Sequence, residues 1–139
     1  MSKDPLRQFP GYALRRASNS SLALLTPRLG ELDLKLTEAS MLVVMGANPK
    51  ITQSELGRIL GVASANVAPL VAKLHDRGLV SRTPVDGRSH SLELTEAGQA
   101  LSDKALDTMK DHEAKILEKI PVELQGCFVE AVNRIWEDS

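Results

Sequence analysis

The chain has 139 residues, 42% of them hydrophobic and 25% charged, which is enough apolar material for one folded core. Its net charge is −1, but segments 1–57, 58–90 and 91–139 carry +2, +3 and −6, so positive charge is concentrated in the middle. No stretch approaches the ~18 uncharged apolar residues of a membrane helix, and a single cysteine excludes an internal disulfide and suits a reducing cytoplasm.

The first part of the chain predicts two helices. Apolar or small residues recur at helical spacing from Gly11 to about Leu32, and Pro27 should kink this helix because it removes a backbone donor. Thr37 is typical of an N-cap for a second helix, which should run through Ala47 and close at the turn Asn48-Pro49.

Two shorter helices should follow. Thr52 and Glu55 have the spacing of a capping box, and Gly61 should end the helix that they open. The next helix should run from about Ser64 to Arg77, with Gly78 as its stop.

The pattern then changes from helical to alternating. Residues 79–83 and 90–94 indicate two short strands, and the dipeptide Asp86-Gly87 between them is typical of a hairpin. Thr95 should cap a long helix with an apolar stripe from position 97 to 120, and Pro121 should start a last helix.

These elements predict a mainly α fold with a small β-hairpin wing. Residues 37–95 have the order of a winged helix-turn-helix, flanked by an N-terminal helix over 1–36 and C-terminal helices over 96–139. Both flanking regions carry apolar stripes that one chain cannot easily cover, so we expect them to intertwine in a homodimer as one domain overall.

The second helix of the helix-turn-helix is the predicted recognition helix. Val67, Leu70, Val71 and Leu74 fall on one face and should pack inward. The opposite face has few long polar side chains, which suits a major groove better than bulk solvent: Asn66 has the groups to pair with adenine, and small apolar groups can contact thymine methyls. Ser64 with the helix N-terminus, and Lys73, are predicted phosphate contacts. The predicted DNA-facing positions on this helix are Ser64, Ala65, Asn66, Pro69 and Lys73, and Pro69 should distort the helix near its second turn.

The hairpin supplies a second predicted DNA contact. Arg88 stands at its tip, with Asp86 two residues away to orient the guanidinium, an arrangement that suits a narrow minor groove. Arg82 on the first strand should add a phosphate contact.

At this point the sequence resembles a known family. The run QSELGRILGV from Gln53, GLVSR from Gly78, the DGR wing and LTEAGQAL from Leu94 occur in the order found in MarR-type transcription regulators, and the flanking helices match as well. The resemblance implies a homodimeric repressor on a palindromic operator. It also implies release by a small ligand, often an aromatic acid or related phenolic, bound between the dimer helices and the winged domain.

The ligand site is a tentative prediction with open alternatives. Ser18 and Ser21 lie within the apolar stripe of the first helix, where they either allow close helix packing or, with Arg15 or Arg16, bind a carboxylate. His112 interrupts the stripe of the long fifth helix and is either a satisfied core histidine or part of the pocket. Met45 is either core or an adaptable pocket floor.

Other functions have less support. Cys127 is predicted to have a packing role rather than to act as a redox sensor, because it has no cationic neighbour in the sequence. The three histidines are scattered, so neither a metal site nor a cofactor is expected. No nucleophile motif or glycine-rich loop with paired carboxylates indicates an enzyme. The remaining alternative is a winged-helix module that binds proteins without specific DNA binding.

Overall fold

The computed structural model describes residues 2–86 and 90–137 and is mostly helical. Its elements are α1 (Pro10–Gly30), α2 (Leu36–Ala47), β1 (Ile51–Thr52), α3 (Gln53–Leu60), α4 (Ser64–Asp76), β2 (Val80–Pro84), β3 (His90–Leu94), α5 (Glu96–Glu118) and α6 (Val122–Glu137). This order confirms the predicted winged helix-turn-helix with flanking helices.

The helix-turn-helix begins and ends where the sequence predicts. The Thr52 hydroxyl accepts a hydrogen bond from the Glu55 backbone N–H at 3.1 Å and donates to the Glu55 carboxylate at 2.9 Å. Gly61 and Gly78 have φ angles of +66° and +74°, the left-handed conformation in which glycine ends helices at no steric cost. Local side-chain chemistry therefore sets the limits of α3 and the end of α4.

The predicted start of α2 is wrong by two residues. Lys35 is the N-cap, and its backbone N–H donates to the Glu38 carboxylate at 2.9 Å, so Thr37 lies inside the first turn. Glu38, three residues after the N-cap, accepts a hydrogen bond from the N-cap's own backbone N–H, so no capping hydroxyl is needed for that contact.

The two internal prolines do not end their helices. Both α1 and α4 continue as α-helix past Pro27 and Pro69. A bend at either position stays a prediction.

The sheet has one strand more than the sequence predicts. Its antiparallel order is β1-β3-β2, with Ile51 paired with Leu92 and Arg82 also opposite Leu92. A two-residue strand has no recognisable periodicity, since only pairing with β3 makes Ile51 and Thr52 a strand.

The core lies where α1, α2, the helix-turn-helix, the sheet and the start of α5 meet. Its fully buried side chains are Leu29, Met41, Leu42, Met45, Leu56, Val71, Leu74, Leu92 and Ala105. By contrast, no side chain of α6 within the described range is buried, although the helix carries several large apolar residues. In the described part of the chain, no helix is both long and apolar enough to cross a membrane.

Candidate nucleic-acid interface and ligand cavity

The recognition helix α4 separates a buried face from an exposed one as predicted. Val67, Val71 and Leu74 are buried in the core. Ser64, Ala65, Asn66 and Pro69 are exposed on the other side. The side chains on the exposed face are short and uncharged, so the helix can approach the floor of a groove closely.

The start of α4 offers backbone N–H groups to an anion. Its N-cap is Ala63, whose side chain makes no capping hydrogen bond, and the first turn carries no acidic residue. Exposed Arg58 on α3 lines a surface hollow beside this turn together with Ser54 and Ser64. An N-terminal helix dipole beside a guanidinium is suited to a phosphate.

Arg58 was missed as a site residue by the sequence analysis. It counts toward the positive charge of segment 58–90, but its helical position alone does not show that it lies beside the N-terminus of the next helix. Only the fold of the α3–α4 turn brings the two together.

Lys73, a predicted phosphate contact, is exposed but paired with an acidic side chain, and its contact with phosphate stays a prediction. Its ammonium lies 3.3 Å from the Glu38 carboxylate, whose side chain is 1% exposed. Arg77 also turns toward the body of the protein, donating to the Asp33 carbonyl at 2.8 Å. A buried carboxylate requires a counter-ion, so Lys73 has an internal role that its place in the sequence did not reveal.

The structure describes the wing over residues 80–86 and 90–94. Arg82 is exposed and pairs with Leu92 on the neighbouring strand. The two side chains therefore project from the same face of the sheet, although Leu92 is buried. Asp86 is exposed at the end of the described part of the wing. Arg88, the predicted minor-groove residue, lies outside the described residues.

Ser21 and His112, two of the predicted ligand residues, are brought together between α1 and α5. The Ser21 hydroxyl lies 2.9 Å from Nε2 of His112, and His112 is 2% exposed. The hydrogen bond accounts for a histidine in an apolar stripe, which favours the satisfied-core interpretation for its Nε2 atom.

A slot of about 120 Å³ adjoins this pair. Leu24 and Ile116 supply apolar walls, and Arg28, Lys115 and Lys119 supply positive charge, with His112 also in the lining. The volume is of the order of one aromatic ring with a small substituent, and the lining suits an apolar anion.

Asp111 sits beside the basic residues of this slot. Its carboxylate lies 3.3 Å from the Lys115 ammonium and 2.9 Å from the Arg28 guanidinium. The Lys115 ammonium, through its hydrogen bond and its charge, and then Arg28 hold the pKa of the Asp111 carboxyl below its ordinary value of 3.8. This carboxylate partly neutralises the slot and orients two of its cations.

The other predicted ligand residues do not converge on that slot. Arg15 and Arg16 lie near the start of α1, with guanidinium carbons 5.4 and 5.7 Å from the Tyr12 ring centre. Ser18 is exposed, and Met45 is 1% exposed within the core. Arg28, rather than Arg15 or Arg16, is the arginine in the lining of the slot. Carboxylate binding by Arg15 or Arg16 with Ser18 and Ser21 stays a prediction.

The predicted packing role of Cys127 is not tested by a single chain. Cys127 is exposed on α6. Among the described residues, no group of three potential ligands is placed to hold a metal ion.

Comparisons with known proteins agree with this geometry. A sequence profile of the MarR family matches residues 32–89. The HTH-type transcriptional repressor Rv2887 of Mycobacterium tuberculosis is 27% identical over 130 residues, which are 92% of this chain and 94% of the relative. A solved structure of the transcriptional repressor CouR bound to a 23-mer DNA duplex is 28% identical, with a TM-score of 0.87 over 97% of each chain. CouR from Rhodococcus jostii RHA1 bound to p-coumaroyl-CoA is 24% identical, with a TM-score of 0.83 over 96% of this chain and 95% of that one, and shares the fold.

Proposed function

We propose that the chain is a member of the MarR family, a sequence-specific DNA-binding transcription repressor that acts as a homodimer in the cytoplasm and is released by a small ligand. The observation that carries the proposal is the surface of α4. The outward face of this helix is exposed. Its N-terminus has no side-chain cap, and its first turn has no acidic residue. Three buried aliphatic residues anchor the helix in the core. The supporting relatives are a named repressor and a repressor solved on duplex DNA.

Groove contact assigns different roles to different residues. Asn66 reads a base edge, and Ala65 and Pro69 provide apolar contacts. Ser64, the α4 N-terminus and Arg58 bind phosphates, and Arg82 with Arg88 carries the wing contact. Phosphate contacts fix the position of the protein, whereas Asn66 distinguishes sequences.

Homodimerisation is supported by the exposed apolar side chains of α6. Phe128, Ile135 and Trp136 leave 39%, 60% and 60% of their surface exposed, and a second copy buries this surface symmetrically. A two-fold dimer presents two recognition helices about one DNA turn apart. The operator is therefore a pseudo-palindrome with half-sites ~10 bp apart centre to centre.

The slot between α1 and α5 is the proposed effector site. Its apolar walls and three cationic side chains suit a small aromatic carboxylate or the corresponding thioester. CouR, which shares this fold, is solved bound to p-coumaroyl-CoA, and this supports including thioesters among the candidate ligands.

The test is a fluorescence-anisotropy titration against the DNA upstream of the chain's own gene, at several salt concentrations. We expect tight binding that weakens steeply with salt and is lost with one member of a panel of aromatic carboxylates and thioesters. Arg88→Ala should weaken operator binding by at least ~1 kcal/mol if the wing enters the minor groove. Unchanged affinity of that variant at matched salt contradicts the wing assignment.

A protein-interaction module without specific DNA binding is the second candidate function. The observation that favours it is that Lys73 and Arg77, two basic residues of the central segment, are paired with Glu38 and Asp33 of the same chain. Absence of duplex binding at low salt supports this candidate, because a protein that contacts DNA phosphates binds DNA most tightly at low salt.

A further inference from the structure

The C-terminal end of α4 is attached by two separate polar contacts to the first turn of α2 and to the turn between α1 and α2. One joins Lys73 to Glu38, and the other joins Arg77 to Asp33. These four residues are called the tether below.

Lys73 follows Asn66 by seven residues, so it lies on the same side of α4 as the proposed groove surface but toward the other end of the helix, where it is paired with Glu38. The DNA-binding roles assigned above to Ser64, Asn66 and Pro69 do not explain this pairing.

The first contact satisfies a buried charge. One Glu38 carboxylate oxygen accepts the Lys35 N–H at 2.9 Å, whereas the other is buried and, among the described residues, makes no hydrogen bond. The Lys73 ammonium is 3.3 Å from this second oxygen, and its side chain is 51% exposed. An unpaired carboxylate here would be costly, so the ammonium is held in place by the charge that it compensates.

The second contact depends on an unusual backbone conformation. Asp33 has a φ of +56°, which few residues other than glycine adopt. The Asp33 N–H donates to the Gly30 carbonyl at 2.9 Å, and the Asp33 carbonyl accepts from Arg77 Nη1 at 2.8 Å. The turn that ends α1 thus presents a carbonyl directly to the end of the recognition helix.

We propose that the tether sets the position of the recognition helix relative to α1, and that Glu38 and Arg77 are positioning residues for operator binding. The inference rests on the proposed DNA-binding function. Lys73 and Arg77 are four residues apart and so lie on one side of α4, about one turn apart. Val67, Val71 and Leu74 anchor α4 in the core, and the two polar contacts add a constraint on the rotation and tilt of its C-terminal end.

Glu38→Gln is the informative substitution. The glutamine amide oxygen can still accept the Lys35 N–H, so the start of α2 is preserved, but the charge that holds Lys73 is removed. We expect operator affinity to fall at least ~5-fold, which is within the usual range of coupling between sites. Affinity for random duplex DNA should not fall, because the variant carries one negative charge fewer.

Arg77→Lys provides a second, independent test. It keeps the positive charge but replaces a rigid five-donor fork by a flexible ammonium that cannot reproduce the same bond to the Asp33 carbonyl. We expect the same loss of operator affinity with unchanged binding to random DNA. Lys110→Gln, which removes an exposed charge on α5 outside the tether, is the matched control and should leave operator affinity within ~2-fold of the unsubstituted chain.

The spacing between half-sites gives a readout that a purely structural role would not move. Operators are compared with half-site centres at ~10 bp and at one base pair less or more. The unsubstituted chain should prefer one spacing sharply. Both tether variants should bind the three operators with more equal affinity, at a temperature where thermal melting shows them folded.

Three outcomes overturn the proposal. Glu38→Gln that binds the operator more tightly, with a salt slope steeper by about one charge, would show that Lys73 is a phosphate contact restrained by Glu38. Operator affinity and spacing preference unchanged in both variants would show that α4 is positioned without the tether. A loss of affinity equal on operator and random DNA would show a general effect. If the unsubstituted chain itself has no operator preference, the proposed function fails instead.

Discussion

At the residue scale, the clearest requirement is the absence of a side chain at Gly98. A Cβ atom there would collide with the carbonyl oxygen of Leu79, the residue just before the wing. That carbonyl accepts the Thr95 N–H at 3.0 Å, and the Thr95 hydroxyl donates to the Gly78 carbonyl at 2.6 Å. The first turn of α5 and the base of the wing are therefore in backbone contact, which explains the glycine in the LTEAG motif.

Gly98→Ala should consequently destabilise the protein. Because the obstacle is backbone rather than a flexible side chain, we expect the free energy of unfolding to fall by about 2–4 kcal/mol in a urea titration. Gly30→Ala, where an added Cβ meets nothing within 4 Å, is the control and should cost less than ~0.5 kcal/mol. Equal stability of the two variants would show that α5 can move away from the wing at little cost.

Asp111 provides a residue-scale prediction in pH. Its folded-state pKa is lowered, chiefly by Lys115 and then by Arg28. The carboxylate therefore adds stability above its unfolded pKa near 3.8, and this contribution disappears as the pH falls through the lower folded value. NMR titration should show that Lys115→Gln raises the pKa of Asp111. An unmoved pKa would mean that the pair at 3.3 Å is not populated in solution.

At the scale of elements, the helix-turn-helix follows from local signals that also have tertiary support. Thr52 and Glu55 form the reciprocal contact that the sequence predicts. Gly61 then turns the chain so that α3 and α4 share the core through Leu56 and Val67. Since these signals act within a few residues of one another, they are readable without the fold.

Thr52→Ala should remove about 1 kcal/mol from the free energy of unfolding, because the N-terminus of α3 loses its cap. Thr26→Ala on the exposed side of α1 is the matched control and should change stability by less than ~0.5 kcal/mol. Thermal melting of both variants at one protein concentration checks the difference. A Thr52→Ala variant as stable as the control would indicate that water replaces the cap.

At the scale of the whole molecule, α6 has no buried side chain within the described residues. Ile135 and Trp136 are each 60% exposed, and Phe128 lies on the same helix. A contiguous exposed apolar face of this kind marks an association surface. The proposed homodimer covers it, and this also accounts for exposed Cys127.

Phe128→Asp combined with Ile135→Asp should therefore shift the protein from dimer to monomer in sedimentation-velocity experiments. A buried interface cannot accept two unpaired carboxylates per copy. Glu123→Gln, an exposed change on the same helix, should leave the association state unaltered. A double variant that remains dimeric would place the interface elsewhere.

The sequence by itself determined the helical order, the wing, the caps at Thr52 and Thr95, and the inward face of α4. Each of these depends on contacts between residues close in the chain or on a simple period. Only the tertiary structure decided the strand Ile51–Thr52, the pairing of Lys73 with Glu38, the position of Arg58 beside the α4 N-terminus, and the slot next to His112. These depend on residues far apart in sequence, and their neighbours exist only after the core has packed.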